Sequence, residues 1–489
     1  MKIAKLTEKI HISWLVATFC LGLVIGVVTV YNLPNGKFAS IAWLMIGLVI
    51  FGVTIIKRWR LMIILAIISG GMVGLWRGDI SRAGMEKYQQ LIGSNLTIQG
   101  NVSEDPDIDK KAQTVLRLND VKLLINSNEV INLPGQIWVT TASTDAVKRS
   151  DIATVQGKIS QGFGAFQASL YRAKIIKVER PVPGDVAVGV RDWFAGKVRQ
   201  HIPEPESALG LGFLLGLRRS LPQDLSDSLK IAGLTHVIVA SGYNLTILVR
   251  LSRRLFAKSS KYLSLISSIM MTMIFMSLTG LSPSMLRAGL VTILSLITWY
   301  YGRKIHPFVL LPLAAAITLI INPQFGWNDL GWQLSFLSFI GVIVLAPLLQ
   351  KFFFGNKPPG TLRQIVGETL SAQIMTLPVL IATFGAVSNV ALIANVMILP
   401  FVPLAMLLVF VSGILSTIPL IGGLIAILAT YLLKYMTITA GWLANLSWAQ
   451  TEISFGIWQI VFAYLVITIA IWLMTRATKF NFREVNIVE

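Results

Sequence analysis

The sequence predicts a polytopic α-helical membrane protein of about twelve transmembrane helices, with a small extracytoplasmic all-β domain inserted after the third helix. Three observations carry that prediction. Hydrophobic residues make up 54% of the 489 and charged residues only 13%, with a mean hydropathy of +0.70, values that a soluble domain would struggle to keep in solution. Apolar runs near the ~20 residues needed to cross ~30 Å of hydrocarbon recur along most of the chain. Between about residues 86 and 180 they give way to short alternating segments punctuated by turn residues.

The chain opens with three apolar spans, 12–31, 39–56 and 60–76. The first is not read as a signal peptide, because it is long, lacks a small-residue cleavage site and is followed at once by two more spans. Lys2, Lys5 and Lys9 precede it, and Lys57, Arg58 and Arg60 separate the second from the third, whereas the first intervening loop holds only Lys37. By the positive-inside rule the N-terminus is cytoplasmic and the third span delivers the chain to the outside. The formal net charge of +19 divides as +7 over 1–85, +2 over 86–180 and +10 over the remainder. Positive charge in short loops beside apolar spans is first a topology signal and only secondarily a nucleic-acid signal. The single cysteine, Cys20, lies in the first span, so an intrachain disulfide is impossible and no thiol chemistry is expected.

Residues 86–182 form the predicted β domain. Leu96–Val102, Val115–Leu118 and Gln136–Thr140 alternate like half-buried strands, and Glu104-Asp105-Pro106-Asp107, Asn126-Ser127-Asn128 and Leu133-Pro134-Gly135 read as turns. About five short strands in this length fit a small barrel; an OB-fold is one such barrel, and the pattern does not separate it from others. OB-folds hold single-stranded nucleic acid by a basic groove and aromatic stacking, for which this domain offers Trp138, Lys158, Tyr171, Arg172 and Lys174.

From 183 to 232 polar residues interrupt the apolar ones too often for a span. Leu221, Leu225 and Leu229 repeat every four residues opposite Asp224, Asp227 and Lys230, as in an amphipathic helix at the membrane interface. Small residues in Leu209–Leu217 suit close helix contact. Nine further spans follow, at 234–250, 262–280, 283–300, 307–321, 330–348, 364–384, 390–412, 420–443 and 456–474, within a domain of 233–475. An even total returns the tail, 476–489, to the cytoplasm, and the clusters Arg250 to Lys261, Arg303-Lys304, Lys351 to Arg363 and Arg476 to Arg483 agree; only Lys434 sits awkwardly. The chain shows no internal repeat of the kind many secondary transporters carry.

Polar groups at membrane depth are costly and mark either a pathway or a helix contact. His236 and Asn244 fall within about 80° on one face of a continuous helix. They can line a path together, or each can fix packing by hydrogen-bonding neighbouring helices. Ser241-Gly242 either unwinds that helix or forms a packing notch. Arg287, about four residues into its span, keeps its charge and suits a phosphate backbone; the bland reading is snorkelling to the interface. Glu368 faces the headgroups at the start of a span and Gln373 lies deeper. Trp332 by itself reads as an interfacial belt residue. A Ser-His hydrolase at Ser241 with His236 as base is disfavoured, since five residues along a helix turn the two about 140° apart. His11, His201 and His306 offer no compelling partner. Metal-ligand spacing is absent, so neither cofactor nor metal is expected.

In chain order, Thr235–Val249, Leu278–Gly289, Gly331–Phe336, and Ala372–Pro378 followed by Phe384-Gly385, Asn395 and Leu399-Pro400 resemble the competence domain of the ComEC family. Asp151–Lys158 and Gly162–Tyr171 continue the resemblance, which also begins to match at Ser207-Ala208-Leu209 and Leu215-Gly216. The family pattern implies an OB-like external domain, and an inner-membrane channel that carries single-stranded transforming DNA, without catalysis in this chain. It implies that His236, Ser241, Gly242, Asn244, Arg287, Gln333, Ser335, Gln373 and Asn395 line the path. Beyond DNA and membrane lipids, the implied partners are a separate nuclease, a DNA receptor and a cytoplasmic DNA translocase. The sequence departs from the pattern at Gln167, usually acidic, at Asn244, usually a second histidine, and at Trp332, usually phenylalanine. The metallo-β-lactamase-like domain of longer relatives is not expected here, as the chain ends at Glu489. A transporter of another solute or lipid-linked substrate, and an intramembrane hydrolase using Ser241, are the other two readings.

Overall fold

The computed structural model describes residues 9–108, 113–126, 129–142, 147–164, 166–217, 221–238, 241–302, 306–355, 357 and 359–480. They form two compact units: Met1–Val186 with Gly280–Arg287 and Phe308–Gln333, and Ala187–Thr279 with Ala288–Pro307 and Leu334–Glu489.

In the first unit, α1 (Ile12–Val30), α2 (Ile41–Lys57) and α3 (Met62–Gln89) precede the β domain. Helices α1 and α3 are drawn together by glycines on both sides of their contact. A Cβ at Gly22 or Gly26 would meet the carbonyls of Ile67 or Gly71, and one at Gly70 or Gly74 would meet those of Phe19 or Leu23, all closer than 2.5 Å. Only hydrogen fits there, which lets the backbones meet as small-residue motifs do in lipid. Past this contact α3 turns polar and organises the adjoining loop. The buried Asp79 carboxylate accepts from Gly36 N (3.1 Å) and Phe38 N (2.7 Å), and Arg77 Nε donates to the Ile320 carbonyl (2.9 Å) near the end of α10 (Pro307–Ile321).

Among its described residues the β domain holds eight strands: β1 (Asn95–Val102), β2 (Asp107–Ile108), β3 (Thr114–Asn126), β4 (Glu129–Leu133), β5 (Ile137–Thr141), β6 (Ile152–Gln161), β7 (Ala168–Leu170) and β8 (Lys174–Glu179). The pairing path β1-β3-β5-β7-β6 closes on itself because β1 also pairs with β6, giving a five-stranded barrel in which only β5 and β7 run parallel. Ile98, Leu116, Leu118, Ile137, Val139, Val155, Ile159 and Leu170 fill it, every one buried, as the period-two alternation requires. Gln167 has a clear place: its backbone N–H donates to Gln136 O (2.9 Å) and its side-chain oxygen accepts from Gln136 N. That amide occupies the space a Cβ at Gly135 (φ 88°) would need.

In the second unit, α4 (Val186–Arg199), α5 (Glu206–Leu215) and α6 (Gln223–Ile231) lead into the region read as the fourth span. All ten residues of α5 are buried, and Gly210 lets it approach Val409 and Leu433. Helix α6 places Leu225 and Leu229 against the same core, joined by Leu221 just before the helix, and leaves Asp224, Asp227 and Lys230 exposed. The longer helices that follow are α7 (Gly242–Phe256), α8 (Lys261–Thr279), α9 (Pro283–Tyr300, whose residues from Ala288 belong to this unit), α11 (Leu330–Phe354, from Leu334), α12 (Thr361–Phe384), α13 (Ala391–Ile414), α14 (Pro419–Ala444) and α15 (Ile457–Thr478). A π-helical turn, Gly341–Leu345, interrupts α11 where Gly341 meets the Ser371 carbonyl of α12.

Among the described residues eight helices are long and apolar enough to cross a membrane: α1, α3, α8, α11, α12, α13, α14 and α15. Three other expected spans, 39–56, 283–300 and 307–321, appear as shorter apolar helices, and 234–250 is not one helix. The chain is a multi-pass membrane protein carrying a barrel-like β domain.

Candidate functional site

The expected span at 234–250 breaks at its polar residues. Thr235–Ile238 forms one helical turn, residues 239–240 lie outside the described residues, and α7 starts afresh at Gly242. Ser241 is extended (φ −121°, ψ 161°) and its Oγ accepts from Asn244 N (3.4 Å), so it caps α7. A serine with a free lone pair next to a glycine favours this over a continuous helix, because its side chain satisfies a backbone N–H that the break exposes. Gly242 sits where an added Cβ would touch Ala288 at 3.2 Å.

The break separates the two residues expected to share a face. His236 is exposed, and its Nδ1 lies 3.0 Å from the Gly233 carbonyl, a contact that places the proton on that nitrogen. Asn244 is fully buried, and its Nδ2 donates to the carbonyls of Phe213 (3.1 Å) and Val237 (3.0 Å). Because both partners are acceptors, the amide has one possible orientation. Asn244 therefore ties together the end of α5, the turn before the break and the start of α7. Gly233 against Ala391, and the Tyr243 hydroxyl donating to Leu399 O (3.2 Å), bring the same segment onto α13. There Asn395 is buried, with Nδ2 donating to Ala391 O (2.8 Å). The buried Oδ1 atoms of Asn244 and Asn395 have no protein partner among the described residues.

The other expected path residues are divided between the two units. Ser335 on α11 and Gln373 on α12 are half-buried members of the second unit. Arg287 and Gln333 belong to the first unit. Arg287 is buried, with Nη2 3.5 Å from Ser284 Oγ, and Gln333 is half-buried. Trp332 differs from a belt residue: it is buried, and its Nε1 donates to Thr318 Oγ1 of α10 (2.9 Å). Just before it, Asp329 accepts from Trp332 N (2.6 Å). Burial pushes the Asp329 carboxyl upward, opposed by that hydrogen bond, with Glu104 adding to the rise and Arg117 opposing it.

On the barrel, Trp138 stands on the outward side of β5 as the centre of a cluster. Phe163 and Phe166 meet its ring edge-to-face at 5.3 and 5.2 Å, and Arg117 lies 5.4 Å over it while paired with Glu104 at 2.7 Å. Thr140, two residues along β5, holds the Tyr171-Arg172-Ala173 turn by accepting from Arg172 N at Oγ1 (3.0 Å) and from Ala173 N at its carbonyl (2.8 Å). Tyr171, Arg172, Lys174 and Lys158 are all exposed.

A family model described as "Competence protein" matches residues 213–477, just over half of the chain. The chain belongs to that competence protein family. A relative, ComE operon protein 3 of Bacillus subtilis (strain 168), is 24% identical over 222 residues, 44% of this chain and 27% of its own length. The match thus spans roughly a quarter of that relative. No solved structure matches. The matched region starts at Phe213, whose carbonyl receives Asn244, and takes in the broken segment, Arg287, the 331–336 stretch, Gln373 and Asn395, while the β domain lies outside it. Phe213 takes part through its backbone carbonyl, which leaves no mark in the side-chain sequence. Phe163, Phe166 and Arg117 were findable: Arg117 falls between the core residues Leu116 and Leu118, so period two turns it outward with Trp138, its register partner.

Proposed function

We propose that this competence protein is an inner-membrane channel for single-stranded transforming DNA, with the barrel outside the cell and both termini in the cytoplasm. The observation that carries the reading is the coincidence of the family match with a broken, polar membrane segment, the kind of irregular backbone tolerated at membrane depth only where it is buried in protein or lines a cavity. The name of the B. subtilis relative, from a competence operon, points the same way. A path for a polyanion needs positive or hydrogen-bonding groups and few lining acids; the residues the family pattern implies for it are His236, Ser241, Gly242, Asn244, Ser335, Gln373 and Asn395 of the second unit and Arg287 and Gln333 of the first.

The barrel is an OB-type domain on this reading, supported by its closed five-stranded path and by the Trp138 cluster. Trp138 stacks a base, while Lys158, Tyr171, Arg172 and Lys174 receive the backbone. A separate nuclease, a DNA receptor and a cytoplasmic translocase complete the process. Hydrolysis at Ser241 gains no support from the geometry, since Oγ is used as a cap and the His236 ring contacts Gly233.

The test is genetic. Deletion should abolish DNA entry and leave surface-bound DNA intact, and Arg287→Ala should impair uptake at normal protein level while Arg287→Lys retains part of it, keeping the charge without the planar fork. Full transformation by Arg287→Ala would remove that residue from the path. Full transformation by the deletion strain would end the channel reading.

A further inference from the structure

Three helix ends converge at one corner of the second unit: the end of α7, the start of α8 and the end of α9. Arg253 of α7 lies 4.4 Å over the Trp299 ring of α9, and Lys261 of α8 lies 5.4 Å from the same ring and 5.5 Å from that of Tyr300. Lys261 Nζ also donates to the Tyr300 carbonyl at 2.6 Å, near the end of α9, where the helix dipole favours a cation. Tyr262 and Tyr301 pack edge-on to Tyr300 and stay 60% and 71% exposed. Beside Lys261 in this segment, Arg254 follows Arg253 directly on α7 and Lys258 lies in the connection to α8; all three are exposed.

Charge balance makes the corner unusual. Neither Asp nor Glu occurs between Asp227 and Asp329, so the sequence places five cations from Arg250 to Lys261 with no carboxylate near them along the chain. Of these, Arg250 shares its surroundings with a carboxylate, since it and Glu368 both lie within Coulomb reach of Tyr243. Helix α7 is basic and amphipathic: Leu245 and Val249 are buried, while Leu251 and Leu255 are exposed beside Arg250 and Arg254. Leu263 and Ile266 continue the exposed apolar surface down α8 from Lys261.

We propose that Arg254, Lys258 and Lys261, on the Trp299-Tyr300 base, form a binding site for the phosphate of an anionic phospholipid. The cations supply the headgroup contacts, the aromatic rings mark the headgroup level, and the apolar side chains below receive acyl chains. The apolar flank decides between lipid and nucleic acid: a strand of DNA would use the cations and the tyrosines but would leave Leu251, Leu255, Leu263 and Ile266 facing nothing. The site does not depend on which solute the protein carries.

The purified full-length protein, delipidated in detergent, is titrated with phosphatidylglycerol or phosphatidylcholine, and retained lipids are counted by native mass spectrometry. The wild type should retain phosphatidylglycerol preferentially, and the preference should weaken as salt rises. Arg254→Gln/Lys258→Gln/Lys261→Gln should lose it, by roughly fivefold per charge and on the order of a hundredfold together. Lys258→Arg/Lys261→Arg should keep it. If the triple variant does not fold, the single Gln variants, each on an exposed residue, carry the same test at about fivefold. An unchanged preference in the variants, or no preference in the wild type, overturns the proposal. So does selective loss of binding to a short single-stranded oligonucleotide with lipid retention intact, which would make the corner a nucleic-acid contact.

Discussion

Replacing Asn244 tests whether one side chain holds the broken segment together. Its two donated hydrogen bonds, to Phe213 O and Val237 O, lie in a fully buried site. Polar pairs between membrane helices average about 0.6 kcal/mol, and removing a partner from a buried carbonyl elsewhere costs about 1–3 kcal/mol. With two carbonyls affected, Asn244→Ala should cost on the order of 1–6 kcal/mol. Asn244→His, the residue that the family pattern implies here, keeps one ring N–H facing the carbonyls and should fall between. Asn244→Asp should be worst, since it turns an acceptor toward both carbonyls and buries a charge. Thermal melts of the purified protein, followed by loss of the monodisperse peak, should give the order wild type, His, Ala, Asp. An aspartate variant as stable as the wild type would mean that the amide does not bridge α5 to α7.

The glycine contact of α1 and α3 should be as intolerant: Gly74→Val, aimed at the Leu23 carbonyl, should cost several-fold in folded yield, whereas Gly52→Val, with nothing within 4 Å, should not; equal yields would contradict the close approach. Asp329 gives a pH dependence. Its folded pKa is raised, so the native state holds the extra proton, and stability falls as pH rises from the ordinary carboxylate range through the raised value, with the full penalty above it. Asp329→Asn retains an acceptor for Trp332 N–H and should therefore gain stability relative to wild type at pH 8 and lose that advantage at pH 4.5; the opposite trend in melting temperature would show the carboxylate to be stabilising. On the barrel, Trp138→Ala should weaken binding of a short single-stranded oligonucleotide to the full-length protein by about 1–3 kcal/mol, read by anisotropy at low salt, and no binding by the wild type would reduce the barrel to a structural cap. A reporter inserted after residue 145, outside the described residues, should read extracytoplasmic and one after residue 255 cytoplasmic; the reverse would invert the assigned topology.

What the sequence exposed, and what it hid, follows from the range of the interactions involved. Long apolar runs and short alternating ones report burial residue by residue, so the helical membrane class and the β insertion were legible, down to the amphipathic Leu221, Leu225 and Leu229 face. The broken segment was legible only as a choice. Ser241-Gly242 permits a break, but Asn244 gains from it only because the Phe213 carbonyl, thirty-one positions earlier, stands where the amide can reach. Only a continuous helix over 234–250 puts His236 beside Asn244. The tertiary hydrogen bonds instead bury one and expose the other. The same limit applies to Trp332, which by composition belongs at an interface but is drawn inside by Thr318 on a neighbouring helix. Each of these failures has one cause: a polar atom in a membrane protein is placed by the partner that satisfies it, and that partner is most often a backbone carbonyl, which every residue carries and no sequence motif displays. The residues most worth mutating are accordingly those, like Asn244, whose donors converge on carbonyls from two separate elements.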